Sequence, residues 1–274
     1  MNLFARKLLA ALASIAAGLA APSAQADTVL ITGANQGIGL EFAKQYAALG
    51  WTVIATHRRA TTPESLATLA AKHPRVRVER MDVTDAAQIE ALGAKLKGQP
   101  IDVLLSNAGM VRTDPLDKPA GNKNQMFGTL DYKLLDEFVH TNVAGPLRLA
   151  ETFVENVKAS KQKKIIAISS AAGSVSVPPF MPNGSPVPDH YWYRISKAGL
   201  NSAMRLLSAQ FEKDGVTVVM FHPGGVKVES FGDIDLPGFE PPETAIGKMI
   251  KTIAGLTIKD TGRFMDNDGK NHAW

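Results

Sequence analysis

The 274-residue chain contains no cysteine. Thiol catalysis, thiolate metal centres, disulfide staples and lipid anchors on cysteine are excluded by that absence alone. Aromatic residues make up only 7% of the chain. No dense lysine–arginine block with interleaved aromatics occurs, so a nucleic-acid partner is not expected. Nor is there a strong excess of one charge: the formal +4 falls to +2, with 28 basic and 26 acidic residues, once Arg6 and Lys7 are set aside. The six histidines show no ligand-like spacing, and no metal site is expected. The one long apolar run, Leu8 to Ala21, has fourteen residues. A helix crossing a bilayer needs roughly 20.

That run has a different meaning. Arg6 and Lys7 precede it, and Pro22 followed by Ala24-Gln25-Ala26 closes it with small residues where a signal peptidase reads them. Residues 1–26 are therefore expected to be a cleaved signal peptide. The mature chain, 27–274, would then be periplasmic or secreted, with no stable membrane span; without cleavage the protein would be cytoplasmic. At 45% hydrophobic and 20% charged, the whole chain has the composition of a globular domain.

Downstream, short β-branched runs alternate with stretches of helical period. Strands are expected at Thr28 to Thr32, Thr52 to Thr56, Val76 to Met81, Val103 to Ser106, Lys164 to Ser169, Val216 to Phe221 and Arg263 to Met265. Helices are expected near Gly37 to Ala48, Asp85 to Leu96, Tyr132 to Val157, Tyr191 to Glu212 and Pro242 to Ile253. Parallel strands need crossovers long enough to hold a helix, so this alternation predicts an α/β fold. The expectation is a single Rossmann-type, doubly wound, mainly parallel seven-stranded sheet with helices on both faces. Two proline- and glycine-rich stretches, Ala171 to His190 and Gly224 to Pro242, predict long loops. The second also carries the apolar residues Phe231, Ile234, Leu236 and Phe239, of which the aromatic ones either form a pocket lid or simply pack.

Between the first strand and the first helix stands Thr32-Gly33-Ala34-Asn35-Gln36-Gly37-Ile38-Gly39. Glycines there let the backbone turn tightly and approach a pyrophosphate, whose charge the helix N-terminus stabilises. Gly33, Asn35, Gln36, Gly37, Ile38 and Gly39 are thus candidate dinucleotide-binding residues. The second strand ends at Thr56-His57-Arg58-Arg59 rather than at an acidic residue. An acid would repel a 2′-phosphate, whereas Arg58 can pair with it, which favours NADP over NAD. Asp82 and Val83, after the third strand, either border an adenine pocket or begin a helix through Asp82 or Thr84. Tyr193 and Lys197, four apart, share a helix face. An ammonium beside a phenol is expected to lower its pKa from near 10 and make it a usable proton donor.

Taken with Asn107-Ala108-Gly109, Asn142, Ser170 and His222-Pro223-Gly224, these motifs resemble the short-chain dehydrogenase/reductase family over essentially all of 27–274. Tyr193-Arg194-Ile195-Ser196-Lys197-Ala198-Gly199 and the ending Gly262-Arg263-Phe264 are similar to the C-factor and Sniffer-type carbonyl reductases. The resemblance implies an NADP-dependent oxidoreductase acting between a nicotinamide and a small-molecule carbonyl or alcohol. It implies that Tyr193 acts as acid/base, Ser170 hydrogen-bonds the carbonyl oxygen, Lys197 binds the nicotinamide ribose, and Asn142 holds a proton-relaying water. Asn107, Ala108, Gly109, Pro223, Gly224 and Val226, with Tyr193 and Lys197, would complete the cofactor site. Ser169 is the rival for the serine role. Pairing through the helices at Tyr132 to Val157 and Tyr191 to Glu212 would give a homodimer or homotetramer. Val228 departs from the pattern, standing where a threonine hydroxyl usually helps hold the cofactor. An exported dinucleotide-binding signalling protein with little or no turnover is the alternative reading.

Overall fold

The computed structural model describes residues 26–111, 123–176, 190–229 and 238–274. The expected leader lies outside them apart from Ala26, as do 177–189 and 230–237 of the two expected loops, with Phe231, Ile234 and Leu236.

Seven strands form one sheet: β1 (Thr28–Ile31), β2 (Thr52–His57), β3 (Val76–Arg80), β4 (Val103–Ser106), β5 (Lys164–Ile168), β6 (Thr217–His222) and β9 (Phe264–Asp266). Their order is β3-β2-β1-β4-β5-β6-β9. Every pairing within it is parallel. The inner strands β1, β4 and β5 are buried along their whole length because helices cover both faces, whereas edge strand β3 alternates valine with charged residues. Along β1, Val29 and Ile31 join one core cluster while Leu30 joins the other. The first cluster packs α1 (Gly37–Ala48), α2 (Glu64–Lys72) and α7 (Pro242–Gly255) against the sheet. The second packs α3 (Ala86–Lys95), α5 (Gly145–Lys158) and α6 (Tyr191–Phe211) on the opposite face. The doubly wound expectation is met, with a wholly parallel sheet.

Four local details differ from expectation. The single helix expected over Tyr132 to Val157 is α4 (Tyr132–Val139), one wide π turn (His140–Ala144) and then α5. Helix α2 was not anticipated; it follows Pro63 and buries only Leu66 and Leu69. Helix α3 stands at its expected place within Asp85 to Leu96, but neither Asp82 nor Thr84 caps it: Asp85 is the N-cap, accepting a hydrogen bond from the Gln88 amide. Within the second expected loop a two-stranded parallel ladder forms, β7 (Gly225–Val226) with β8 (Phe239–Glu240).

The strand order reverses direction between β1 and β4, which opens a crevice at their carboxyl ends, where open α/β sheets bind ligands. The turn after β1 and the segment after β4 form its two lips.

Candidate active site

Gly33 has φ +66, in the left-handed region, and a Cβ added there would meet the Ala108 backbone at 3.0 Å. At Gly39 a Cβ would lie 2.3 Å from the Gly33 carbonyl oxygen. Both positions therefore require glycine for the turn to close. The turn is laced to the segment after β4. Asn107 donates from its side chain to Thr32 O (2.9 Å) and Gly33 O (3.2 Å). The Thr32 hydroxyl accepts from the backbone amides of Asn107 and Ala108. At the start of α1, Gln36 makes no side-chain cap hydrogen bond, and the first turn carries no acidic residue. Its leading N–H groups and the positive end of the helix dipole thus suit an anion. Ile38 packs on the core, so it is the backbone of this residue that faces the turn's ligand side.

Beside the turn lies a cleft of about 410 Å³ lined by Asn35, Gln36, Arg59, Thr61, Ser65 and Glu229. Arg58 stands exposed at the same strand end, and Arg59, which the sequence reading passed over, lines the cleft itself. The Asp82 carboxylate accepts from the Thr84 amide and hydroxyl. Val83 is buried against the start of α5, where a Cβ at Gly145 would meet its carbonyl at 3.0 Å. On the far side of the crevice, Pro223 is buried with its carbonyl held by Asn267 (3.0 Å). Gly224 has φ +78, and Val226 is buried in β7. Val228 closes over the turn, its Cγ1 3.5 Å from a Cβ placed at Gly37.

The other predicted side chains converge next to Gly109. A Cβ there would be 3.3 Å from Asn142 Oδ1 and 3.5 Å from Lys197 Nζ. The Tyr193 phenol is hydrogen-bonded to Ser170. Lys197 Nζ lies 5.7 Å from the Tyr193 ring centroid and donates to Ile168 O at 2.8 Å. Ser169, the rival serine, is buried and donates to Asn201 Oδ1 at 2.6 Å. Strand alternation turns the two serines to opposite sides, and Ser170 is the one beside Tyr193. Asn142 sits in the π turn, a device often found at functional sites. Its amide accepts from Met110 N (2.7 Å) and donates to Met110 O (2.8 Å) and Ser196 Oγ (2.9 Å).

The electrostatics correct one expectation. Burial raises the Tyr193 phenol above its ordinary value, and what opposes it is the hydrogen bond with Ser170. The ammonium does not depress it, because desolvation acts on both groups and disfavours each charged form. The same burial brings Lys197 down to about 8. The phenol is thus firmly protonated at neutral pH, the state a proton donor needs.

Two more residues escaped the sequence reading. Ser196, fully buried, donates to Tyr193 O at 2.9 Å while accepting from Asn142. Gln125, also buried, accepts from the Tyr193 backbone amide at 3.1 Å. Only a motif reading that included the residue before Lys197 could have flagged Ser196; nothing local marks Gln125. Among the described residues no group of three or more His, Asp or Glu is placed to hold a metal ion. Among them too, no helix is long and apolar enough to cross a membrane.

Comparison with known proteins agrees with this fold. The family model for short chain dehydrogenases matches residues 27–236. A 1-hydroxy-2-glutathionyl-2-methyl-3-butene dehydrogenase of Rhodococcus sp. (strain AD45) is 32% identical over 90% of this chain and 100% of its own. C-signal of Myxococcus xanthus is 30% identical over 64% of this chain and 93% of its own. Among solved structures, the NADPH-bound carbonyl reductase from chicken fatty liver superposes with a TM-score of 0.78 at 32% identity, covering 91% of this chain and 100% of that one. Carbonyl reductase Sniffer of D. melanogaster gives 0.75 at 26% identity with the same coverage. The expected kinship with the C-factor and Sniffer-type proteins is met, and the chain belongs to the short-chain dehydrogenase family of oxidoreductases.

Proposed function

We propose that this oxidoreductase is an NADP-dependent carbonyl reductase or alcohol dehydrogenase acting on a small molecule. The observation that carries the reading is the meeting of Ser170, Tyr193 and Lys197 beside the crevice that the glycine turn borders. When bound, NADP supplies the two-electron chemistry, delivering or taking up hydride at its nicotinamide. The chain's residues suit that group. The Cβ-free turn and the uncapped start of α1 offer amides to a pyrophosphate, with Asn35, Gln36, Gly37, Ile38 and Gly39 around it. Arg58, joined by Arg59, would pair with a 2′-phosphate, and Asp82 and Val83 would border the adenine. Asn107, Ala108 and Gly109 on one side and Pro223, Gly224 and Val226 on the other would flank the nicotinamide half. The NADPH carried by the chicken carbonyl reductase supports the choice of nucleotide.

In the reductive direction Tyr193 gives its phenolic proton to the carbonyl oxygen as that oxygen gains charge. Ser170 hydrogen-bonds the same oxygen and steadies the phenol. Lys197 holds the ribose and faces the charge left on Tyr193. Asn142 has spent its side-chain donors on Met110 and Ser196, so a relaying water at that position would meet its remaining oxygen lone pair or its main chain.

The signalling alternative is not favoured, because the side chains for turnover are present and gathered together. We also propose that residues 1–26 direct export; an exported enzyme would draw on a cofactor pool different from the cytoplasmic one. Titration of the purified protein with NADPH and with NADH, followed by a small panel of carbonyl compounds, tests the reading. Tighter binding of NADPH and its oxidation by at least one carbonyl are expected, whereas a preference for NADH would contradict the assignment of Arg58.

A further inference from the structure

Tyr193 is the third residue of α6, so its backbone N–H is one of the donors that no helical carbonyl satisfies. The residue at the N-cap position, or its side chain, normally accepts such a bond. Here His190 makes no side-chain cap hydrogen bond. The acceptor comes instead from a residue 68 positions earlier: Gln125 Oε1, 3.1 Å from Tyr193 N. Gln125 ends a short 3-10 turn, Lys123–Gln125, and is 1% exposed. Its other amide atom, Nε2, donates to Val111 O at 3.2 Å.

The contacts of Gln125 complete a ring. Val111 follows Met110, whose N–H and C=O are both held by the Asn142 side chain. Asn142 donates in turn to Ser196 Oγ, and Ser196 donates to Tyr193 O. Both main-chain polar groups of Tyr193 are therefore held from outside the ordinary helix pattern, one by Gln125 and one by Ser196. A closed, partly buried network of this kind rigidifies what it encloses. At its centre is the residue whose phenol must stay on Ser170.

We propose that Gln125 is a positioning residue for the proton donor: it caps the helix that carries Tyr193 and fixes that helix to the lip of the crevice. The proposal rests on the reading of Tyr193 as acid. Gln125 touches neither the phenol nor Ser170, so it acts only through the placing of Tyr193. Glutamine suits the position because it accepts from one strand of chain and donates to another. Glutamate can keep the acceptor for Tyr193 N and loses the donor for Val111 O, while methionine has the length and neither function.

The test uses the full-length protein with NADPH and a carbonyl substrate, comparing Gln125→Met, Gln125→Glu and Tyr193→Phe. A small misplacement of a reacting group lowers the rate steeply, so Gln125→Met is expected to reduce kcat by about tenfold or more. The KM and the Kd for NADPH should stay near the parent values, a split that general loosening of the fold would not produce. Gln125→Glu is expected to hold kcat within about threefold of the parent, since the cap on Tyr193 survives. An unchanged kcat in Gln125→Met, or an equal loss in both variants, would overturn the proposal. Should Gln125→Met not fold, amide hydrogen exchange in the parent protein decides: protection of the Tyr193 amide well above that of the Trp192 amide supports the cap, and equal exchange refutes it. Full activity in Tyr193→Phe would instead bring down the underlying assignment of the acid, and leaves the exchange result to judge the cap separately.

Discussion

Lys197 Nζ lies 5.7 Å from the centre of the Tyr193 ring, yet its short hydrogen bond runs to the Ile168 carbonyl. The lysine is anchored to Ile168, the last residue of β5 and two before Ser170, so strand β5 and helix α6 are joined at the site itself. Its charge is available to a bound ribose and to a phenol that has given up its proton, and burial has already brought it down to about 8.

A pH dependence follows, with a definite sign. Below about 8 Lys197 is an ammonium; above it the charge is lost. Tyr193, held above its ordinary value by burial, remains protonated throughout that range. In the free enzyme, therefore, kcat/KM for carbonyl reduction should fall as pH rises through about 8 while the phenol is still intact. A pH–rate profile checks this; a decline on the acid side only would contradict it.

The two arginines after β2 make a separable prediction. Replacing Arg58 by Asp puts a repelling charge where a 2′-phosphate would sit. The Kd for NADPH should rise by about tenfold or more, because charge-assisted hydrogen bonds are the strong ones. Binding of NADH should change little. Side-by-side fluorescence titrations read both values, and equal losses for the two nucleotides would point to damage at the strand end.

Val228 presents a methyl group to Gly37. Val228→Thr offers a hydroxyl at the same place at nearly the same volume. NADPH binding should tighten by roughly two- to tenfold, the worth of one added hydrogen bond. Calorimetry of the variant measures it, and unchanged affinity would mean that a backbone amide already serves the group concerned.

Stability has its own handle, remote from the crevice. Lys164, buried at the start of β5, donates from Nζ to Ile253 O (2.7 Å) and Ala254 O (3.2 Å) at the end of α7. These are carbonyls at a helix C-terminus, where Ile253 O also accepts from the Leu256 amide (3.3 Å). Lys164→Met removes the charged side chain's hydrogen bonds to both carbonyls and should cost about 1–3 kcal/mol. Thermal unfolding detects the loss, with NADPH affinity unaltered at low temperature.

Strands were legible in the sequence because a sheet covered on both faces writes itself as short, continuous apolar runs such as Val103 to Leu105. The glycine turn was legible from its place between strand and helix, and Tyr193 with Lys197 from helical spacing. What could not be read depends on contacts distant in sequence. The π turn around Asn142 keeps a helix-like apolar period through Phe138, Leu147 and Ala150, so nothing local announces the extra residue. Asp82 looked equally able to border a ligand or begin a helix; its carboxylate folds onto Thr84, and the helix cap is Asp85. Gln125 is a lone polar residue whose partner lies 68 positions away. The direction of the Tyr193 shift was misread for the same reason, because spacing reveals a neighbouring charge while burial appears only in three dimensions.

The most direct measurement is NADPH consumption by the parent protein and by Tyr193→Phe at equal cofactor saturation, with a carbonyl that the parent reduces. Loss of the only phenolic proton beside Ser170 should lower turnover by about 10²–10⁴-fold, the usual worth of a positioned acid, with the Kd for NADPH near its parent value. Turnover by the phenylalanine variant at the parent rate would contradict the account.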